Sequence, residues 1–145
     1  MFSSSTPQSP FGHSQSSAVA YRRIGVETGV ASASAHHLVQ MLFDGFVDAV
    51  AQAKGAIASG QVQTKGSAIV RAARIVDEGL KASLDMRGGG NLAADLADLY
   101  AYVTLRLTQA NLRNDARALD ECLALIQPLR EAWASIAPQV DSART

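Results

Sequence analysis

Apolar residues along this chain recur at helical spacing from about residue 35 to residue 136, in four blocks separated by short polar or glycine-bearing breaks. The first block contains LVQMLFDGFVDAV at 38–50. Leu38, Met41, Leu42, Gly45, Phe46, Ala49 and Val50 follow the three-and-four rhythm of a buried stripe. Val39, Phe43 and Val47 form a second row beside it, so that apolar positions cover roughly 240° of the helical wheel. That is more than an outer helix of a small bundle is expected to hide, and it predicts a surplus apolar row on helix one.

The block starts after Ser34, a residue type suited to an N-cap, and ends at Ser59-Gly60, where glycine can take a left-handed turn. A second helix is predicted from about Gln63 to Met86, with Ile69, Ala72, Ala73, Val76, Leu80 and Leu84 on one face, before Arg87-Gly88-Gly89-Gly90 breaks it. A third runs from about Asn91 to Leu112, with Leu96, Leu99, Tyr100, Val103, Leu107 and Ala110 facing inward. Asn114-Asp115 caps a fourth, whose stripe is Leu119, Cys122, Ile126, Leu129, Trp133 and Ile136. Pro128 falls opposite that stripe, so a bend there would tip the solvent side outward and spare the inner contacts.

No stretch alternates with the period of two that marks a strand. Long helices joined by short loops predict an all-α, antiparallel up-down four-helix bundle over residues 35–137. Residues 1–20 hold seven serines and no charged side chain, a composition that predicts a disordered tail. Residues 21–34 are read as an extended N-terminal arm or short cap laid over the bundle, not a regular element, and residues 138–145 as a flexible C-terminal tail.

Composition sharpens this picture. Of 145 residues, 48% are hydrophobic and 18% charged, enough apolar material for one domain with a core. Thirteen basic and thirteen acidic residues leave no net charge, and no basic run stands out, which argues against nucleic acid or a membrane as the main partner. The single cysteine, Cys122, excludes an internal disulfide and occupies a core position. The N-terminus has neither a charged segment nor an apolar one typical of a secretory signal, so the expected location is the cytoplasm.

A catalytic or metal constellation is not expected. The Glu-x-x-His motifs of metal-binding bundles do not occur, and His36 and His37, as neighbours on a helix, diverge by about 100°. Asp44 and Asp48 are read as solvated charge. A phosphotransfer bundle would need a reactive histidine midway along a helix, followed by a basic residue and glycine, which Lys54-Gly55 and Lys65-Gly66 lack upstream. RGGGN at 87–91 has neither the preceding strand nor the Gly-Lys-Ser/Thr of a phosphate loop. No cofactor and no metal are expected.

Helix three repeats the surplus of helix one. Ala101, Leu105 and Leu112 lie opposite its core stripe, with Tyr102 beside them. Two helices with spare rows predict an apolar groove that accepts a helical segment, with Tyr21, Ile24 and Val26 of the arm shielding part of it in the free protein. A bundle that associates with itself through the Phe43 row is a rival, distinguished by a stable homo-oligomer.

Several stretches in order resemble the flagellar secretion chaperone family FliS: YRRIGVETGVASAS leading into HHLVQMLFDG at 36–45, KGSAIVRAARIVDEGLKASLD at 65–85, GGNLAADLADLYAYVTLRL at 89–107, ANLRND at 110–115 and ALDECLALIQPLREAW at 118–133. The resemblance implies a non-enzymatic cytoplasmic chaperone. It would hold the C-terminal segment of flagellin against premature polymerisation and deliver it to the flagellar type III export apparatus, docking at the export gate. Binding of other flagellar regulators is left open. The same resemblance matches Tyr21 to the family's arm tyrosine, Leu42, Phe43, Asp44 and Gly45 to its helix-one signature, and Leu84, Asp85, Leu99, Tyr100 and Tyr102 to positions around helices two and three. Asn111, Asn114 and Asp115 match its last turn. Flagellin-contacting residues are then expected at Tyr21, Ile24, Val26, Val39, Phe43, Val47, Tyr102, Leu105 and Leu112.

Overall fold

In the computed structural model, the structure describes residues 31–86 and 88–136. Four helices follow one another: α1 Ala31–Ser59, α2 Val62–Arg74, α3 Gly90–Arg113 and α4 Ala116–Ser135. The α2 helix continues without interruption into a π-helical segment, Ile75–Lys81. Among the described residues there is no strand.

The helices form a closed ring. The α1 helix packs against α2, the π segment and α4, while α3 packs against α2, the π segment and α4; among the described residues the backbones of the diagonal pairs α1–α3 and α2–α4 do not come close. With turns of a few residues between consecutive helices, this is the antiparallel up-down bundle. Its core is a single cluster running from Phe43, Phe46 and Val50 through Ile69, Val76, Leu80, Val103 and Leu107 to Leu119, Cys122 and Ile126.

Local chemistry explains the breaks. Gly60 takes a φ of 72°, the left-handed end at which α1 stops. Asn114 closes α3 with a φ of 52°, a conformation asparagine tolerates better than most residues with a Cβ. Asp115 then opens α4, its Oδ1 accepting from the backbone N–H groups of Arg117 at 3.0 Å and Ala118 at 3.3 Å. Pro128 lies on the exposed side of α4, and the helix runs through it.

Three expectations need correction. Ser34 does not cap α1, because residues 31–34 are already helical; this also removes 31–34 from the extended arm, whose remaining residues lie outside the described ones. Helix two does not stay α-helical to Met86, for the backbone widens at Ile75 and leaves helix after Lys81. The widening coincides with a close approach at Gly79. A Cβ there would stand 2.9 Å from Leu42 Cδ2 and 3.1 Å from Leu42 Cδ1, so the α1 leucine lies directly on the glycine backbone. The third correction concerns Phe43.

Candidate functional site

Phe43 is not a spare surface residue. It is 3% exposed and belongs to the core cluster, while Val39 and Val47 are half-buried against it. The wheel misleads here because α1 has a neighbour on each side. Asp44 accepts from Arg130 Nε at 2.8 Å, Lys54 pairs with Asp120, and His36 engages Trp133, all three placing α4 along the flank that bears Val39, Phe43 and Val47. What covers the second row of α1 is therefore α4.

Along α3 the expected exposure is observed. Leu105 is 52% and Leu112 79% exposed, and Tyr102 is also exposed. Leu105 and Leu112 stand about 10 Å apart, two helical turns, on one outward row with Ala101. Tyr102 leans toward α4, its hydroxyl donating to Glu121 Oε2, while Arg106 Nε donates to Glu121 Oε1 at 2.8 Å. Accepting those two bonds holds the Glu121 carboxyl below its usual value, and the carboxylate partner in turn raises the Tyr102 phenol. The residues Tyr21, Ile24 and Val26 lie outside the described residues.

Sequence reasoning missed what α2 adds to this surface. Val70 is 51% exposed. With Gly66, Ser67, Arg71 and Arg74 of α2 and Asn111 of α3 it lines an open depression between the two helices. Leu105 and Leu112 belong to the outward row of α3. The signal was present in the α2 wheel, where Val70 lies about 100° from the buried Ile69, but a single valine off the stripe is ordinary. The depression ends near Lys65, which is buried. Its Nζ donates to the Asn111 carbonyl at 2.9 Å and to Asn114 Oδ1 at 2.7 Å, binding the start of α2 to the end of α3.

The groups that could suggest chemistry have structural partners. His36 Nε2 donates to the Trp133 carbonyl and its ring stacks on the indole. Cys122 is fully buried, with Sγ 3.7 Å from the Val103 carbonyl, and burial pushes its thiol up to about 12. Burial also raises the Tyr100 phenol. Among the described residues, no three His, Cys, Asp or Glu side chains converge as ligands for a metal ion, and no helix is long and apolar enough to cross a membrane. What the site offers is apolar contact area with basic groups along it, which is the equipment for holding another polypeptide.

Comparison with known proteins agrees in kind. The family model described as flagellar protein FliS matches residues 17–140. The flagellar secretion chaperone FliS of Salmonella typhimurium (strain LT2) is 47% identical over 120 residues, covering 83% of this chain and 89% of its own. That of Escherichia coli (strain K12) is 43% identical over 79% of this chain and 84% of its own. The flagellar secretion chaperone FliSB of Pseudomonas aeruginosa is 39% identical over 80% and 91%. A ring of four helices, an uncovered apolar row on α3 and likeness along most of both chains converge on one assignment: the chain belongs to the FliS family of flagellar secretion chaperones.

Proposed function

We propose that this chain is a cytoplasmic, non-enzymatic export chaperone whose client is the C-terminal segment of flagellin. By covering that segment it prevents premature polymerisation, and it delivers the client to the export gate of the flagellar type III apparatus. The observation that supports the reading best is the exposed row on α3, Leu105 and Leu112 with Tyr102 beside them, in a chain of the chaperone family. On α1 only the partly exposed edges of Val39 and Val47 are available to a client, since Phe43 is inside.

The mechanism is burial of client apolar surface on a preformed bundle, with a disordered client ordering as it binds. Ordering costs free energy, which keeps the affinity within a range that permits release. Nothing in this mechanism needs a nucleotide or a metal.

Calorimetric titration with a peptide spanning about the last forty residues of flagellin tests it, since coupled folding and binding gives a negative heat-capacity change. Saturable one-to-one binding that weakens in Leu105→Asp and Leu112→Asp is the expected result. No binding by the folded protein would overturn the client assignment. A homo-oligomer that dissociates in those variants, seen by sedimentation, would favour the self-associating bundle instead.

A further inference from the structure

The hydroxyl groups on either side of Leu105 along α3 have already spent their hydrogens inside the chain. Thr104 Oγ1 donates to the Tyr100 carbonyl and Thr108 Oγ1 to the Thr104 carbonyl, each at 3.1 Å, while the Tyr102 hydroxyl donates to Glu121 Oε2. A hydroxyl carries one hydrogen, so none of the three can donate to an incoming partner without giving up a bond it holds. Tyr102, Leu105 and Thr108 are nevertheless exposed. The threonine bonds are the local back-bonds that hydroxyls often make in helices. The tyrosine bond is different in kind, because it leaves α3 and crosses to α4, 19 residues away in the chain.

Glu121 is where the crossing bonds meet. Its Oε2 accepts from Tyr102 and its Oε1 from Arg106 Nε at 2.8 Å, and Arg106 Nη1 donates in turn to Gln109 Oε1. Residues 102, 106 and 109 are spaced by four and three, so they share the side of α3 that meets α4. The Arg106 and Glu121 side chains are 23% and 38% exposed, which puts the pair at the edge of the seam, beside the apolar row. Covering a lone carboxylate or an unpaired phenol with apolar surface is costly, because the lost water bonds are not replaced. Here both carboxylate oxygens and the phenol hydrogen keep their partners when covered. The same bond ties the far end of the Tyr102 ring to α4, so the side chain gives up its rotamer freedom in the free protein and not on binding.

We infer that Glu121 of α4 is a positioning residue for client binding, holding the Tyr102 ring in place and keeping its hydroxyl paired while the client covers the exposed part of the ring. The inference rests on the chaperone reading for the client and for the contact made by Tyr102. It adds that this tyrosine serves the client through its ring, that its hydroxyl takes no part in selecting the client, and that the residue responsible lies on a helix outside the apolar row.

The probe is the flagellin peptide of about forty residues, titrated calorimetrically into the full chain and into Glu121→Ala, Glu121→Gln, Tyr102→Ala and the Tyr102→Ala, Glu121→Ala double variant. Thermal melts followed by circular dichroism establish that each variant is folded. Glu121→Ala should weaken binding about tenfold, since it leaves the phenol to be covered unpaired. Glu121→Gln should recover most of that loss, because the amide oxygen still accepts the phenol hydrogen. In the Tyr102→Ala background, Glu121→Ala should change the affinity by no more than about twofold. A lowered melting temperature with unchanged affinity would mean that Glu121 serves only the fold. A loss that persists without Tyr102 would mean that Glu121 touches the client itself, and failure of glutamine to rescue would mean that the phenol bond is not what matters. Each of these overturns the inference. A readout free of client comes from the ring-carbon Cζ resonance of labelled tyrosine, assigned to Tyr102 among the three tyrosines by its absence in Tyr102→Phe. It should move toward the position of free tyrosine in Glu121→Ala and stay near wild type in Glu121→Gln; no movement would also overturn the inference. If wild type fails to bind the peptide although the resonance moves, the client assignment falls and the positioning role falls with it. If wild type and Glu121→Ala bind alike, the positioning role alone falls.

Discussion

His36 and Trp133 hold each other twice. The imidazole Nε2–H donates to the Trp133 carbonyl and the indole Nε1–H donates to the His36 carbonyl, each at 2.9 Å, with the rings stacked 4.6 Å apart at 9°. This clasp joins the early part of α1 to the last turn of α4, residues 97 apart in the chain, and closes the ring where α1 begins and α4 ends. Trp133→Phe keeps an aromatic ring on the imidazole but removes one donor, and it should cost about 1 kcal/mol. His36→Ala combined with it should cost less than the sum of the two single changes, because each removes part of the same contact. Urea unfolding of the four proteins reads both quantities; additive losses would mean the two bonds act independently.

Two turns further into α1, the Asp44–Arg130 pair makes an acid-sensitive contribution. The hydrogen bond from Arg130 holds the Asp44 carboxyl below its ordinary 3.8, outweighing the opposing effect of burial, with Gln40 adding a weaker bond. A carboxyl with a depressed folded value stabilises the fold fully above its unfolded value and loses that contribution as pH falls through the folded one. The pair is half in solvent, so the contribution is small, about 0.5 kcal/mol. Asp44→Asn should therefore lower stability near neutral pH and converge with wild type as acid protonates the Asp44 carboxyl in the folded state as well. Melting temperatures across that range test it, and a constant offset at every pH would mean the carboxylate's charge is irrelevant.

At the π segment, the relation between Leu42 and Gly79 predicts an inversion of the usual helix rule. In an unobstructed helix, Gly→Ala stabilises by up to about 1 kcal/mol. Here the new methyl would overlap both terminal carbons of Leu42 and come within 3.5 Å of its Cγ, so the whole isobutyl group must move. Gly79→Ala should destabilise by about 1 kcal/mol or more, and Leu42→Ala in the same chain should relieve part of that loss. If Gly79→Ala instead raises stability, the contact is soft and the π backbone has another origin.

These particulars show what the sequence makes legible. The core faces of α3 and α4 were readable because each presents one strict stripe, and their exposed rows fell where the wheel put them. On α1 the same wheel was misread, since it counts apolar width without knowing that α4 and α2 flank the helix on either side; Phe43 looks surplus only if one neighbour is assumed. The π segment was not legible, because the four-residue step from Val76 to Leu80 is equally ordinary in an α-helix. Val70 was invisible as a site residue, because a lone valine gains meaning only when α3 is placed beside it.

The buried thiol offers a direct probe of global opening. Cys122 is fully buried and its thiol is pushed up to about 12, so at pH 8 only about one molecule in ten thousand carries a thiolate in the folded state. Alkylation by iodoacetamide should be negligible in the native protein and follow the unfolding transition as urea is added. The raised value also means that the unfolded chain ionises first as pH climbs past 9.0, so stability should fall there, in the direction opposite to the Asp44 effect. Rapid labelling without denaturant would show that the core between α3 and α4 opens locally.

Lys65 is the buried lysine among the described residues, and its surroundings determine what replacing it does. Its ammonium reaches the Asn111 carbonyl in the last turn of α3, where the helix dipole favours positive charge, and the side-chain oxygen of Asn114, whose left-handed conformation ends that helix. Lys65→Met keeps the aliphatic stem but leaves both oxygens without this donor, and should cost about 2 kcal/mol. Asn114→Gly separates the two roles of the turn: glycine takes the left-handed angle at least as easily, yet offers the ammonium no acceptor, so the loss should be smaller, about 1 kcal/mol. In Lys65→Met the same glycine change should have almost no further cost, because the bond it would remove is already gone. Hydrogen exchange at the amides of 110–118 supplies the structural readout, with faster exchange expected in either single variant. Equal, additive destabilisation by both changes would mean that Lys65 acts through packing and not through the turn.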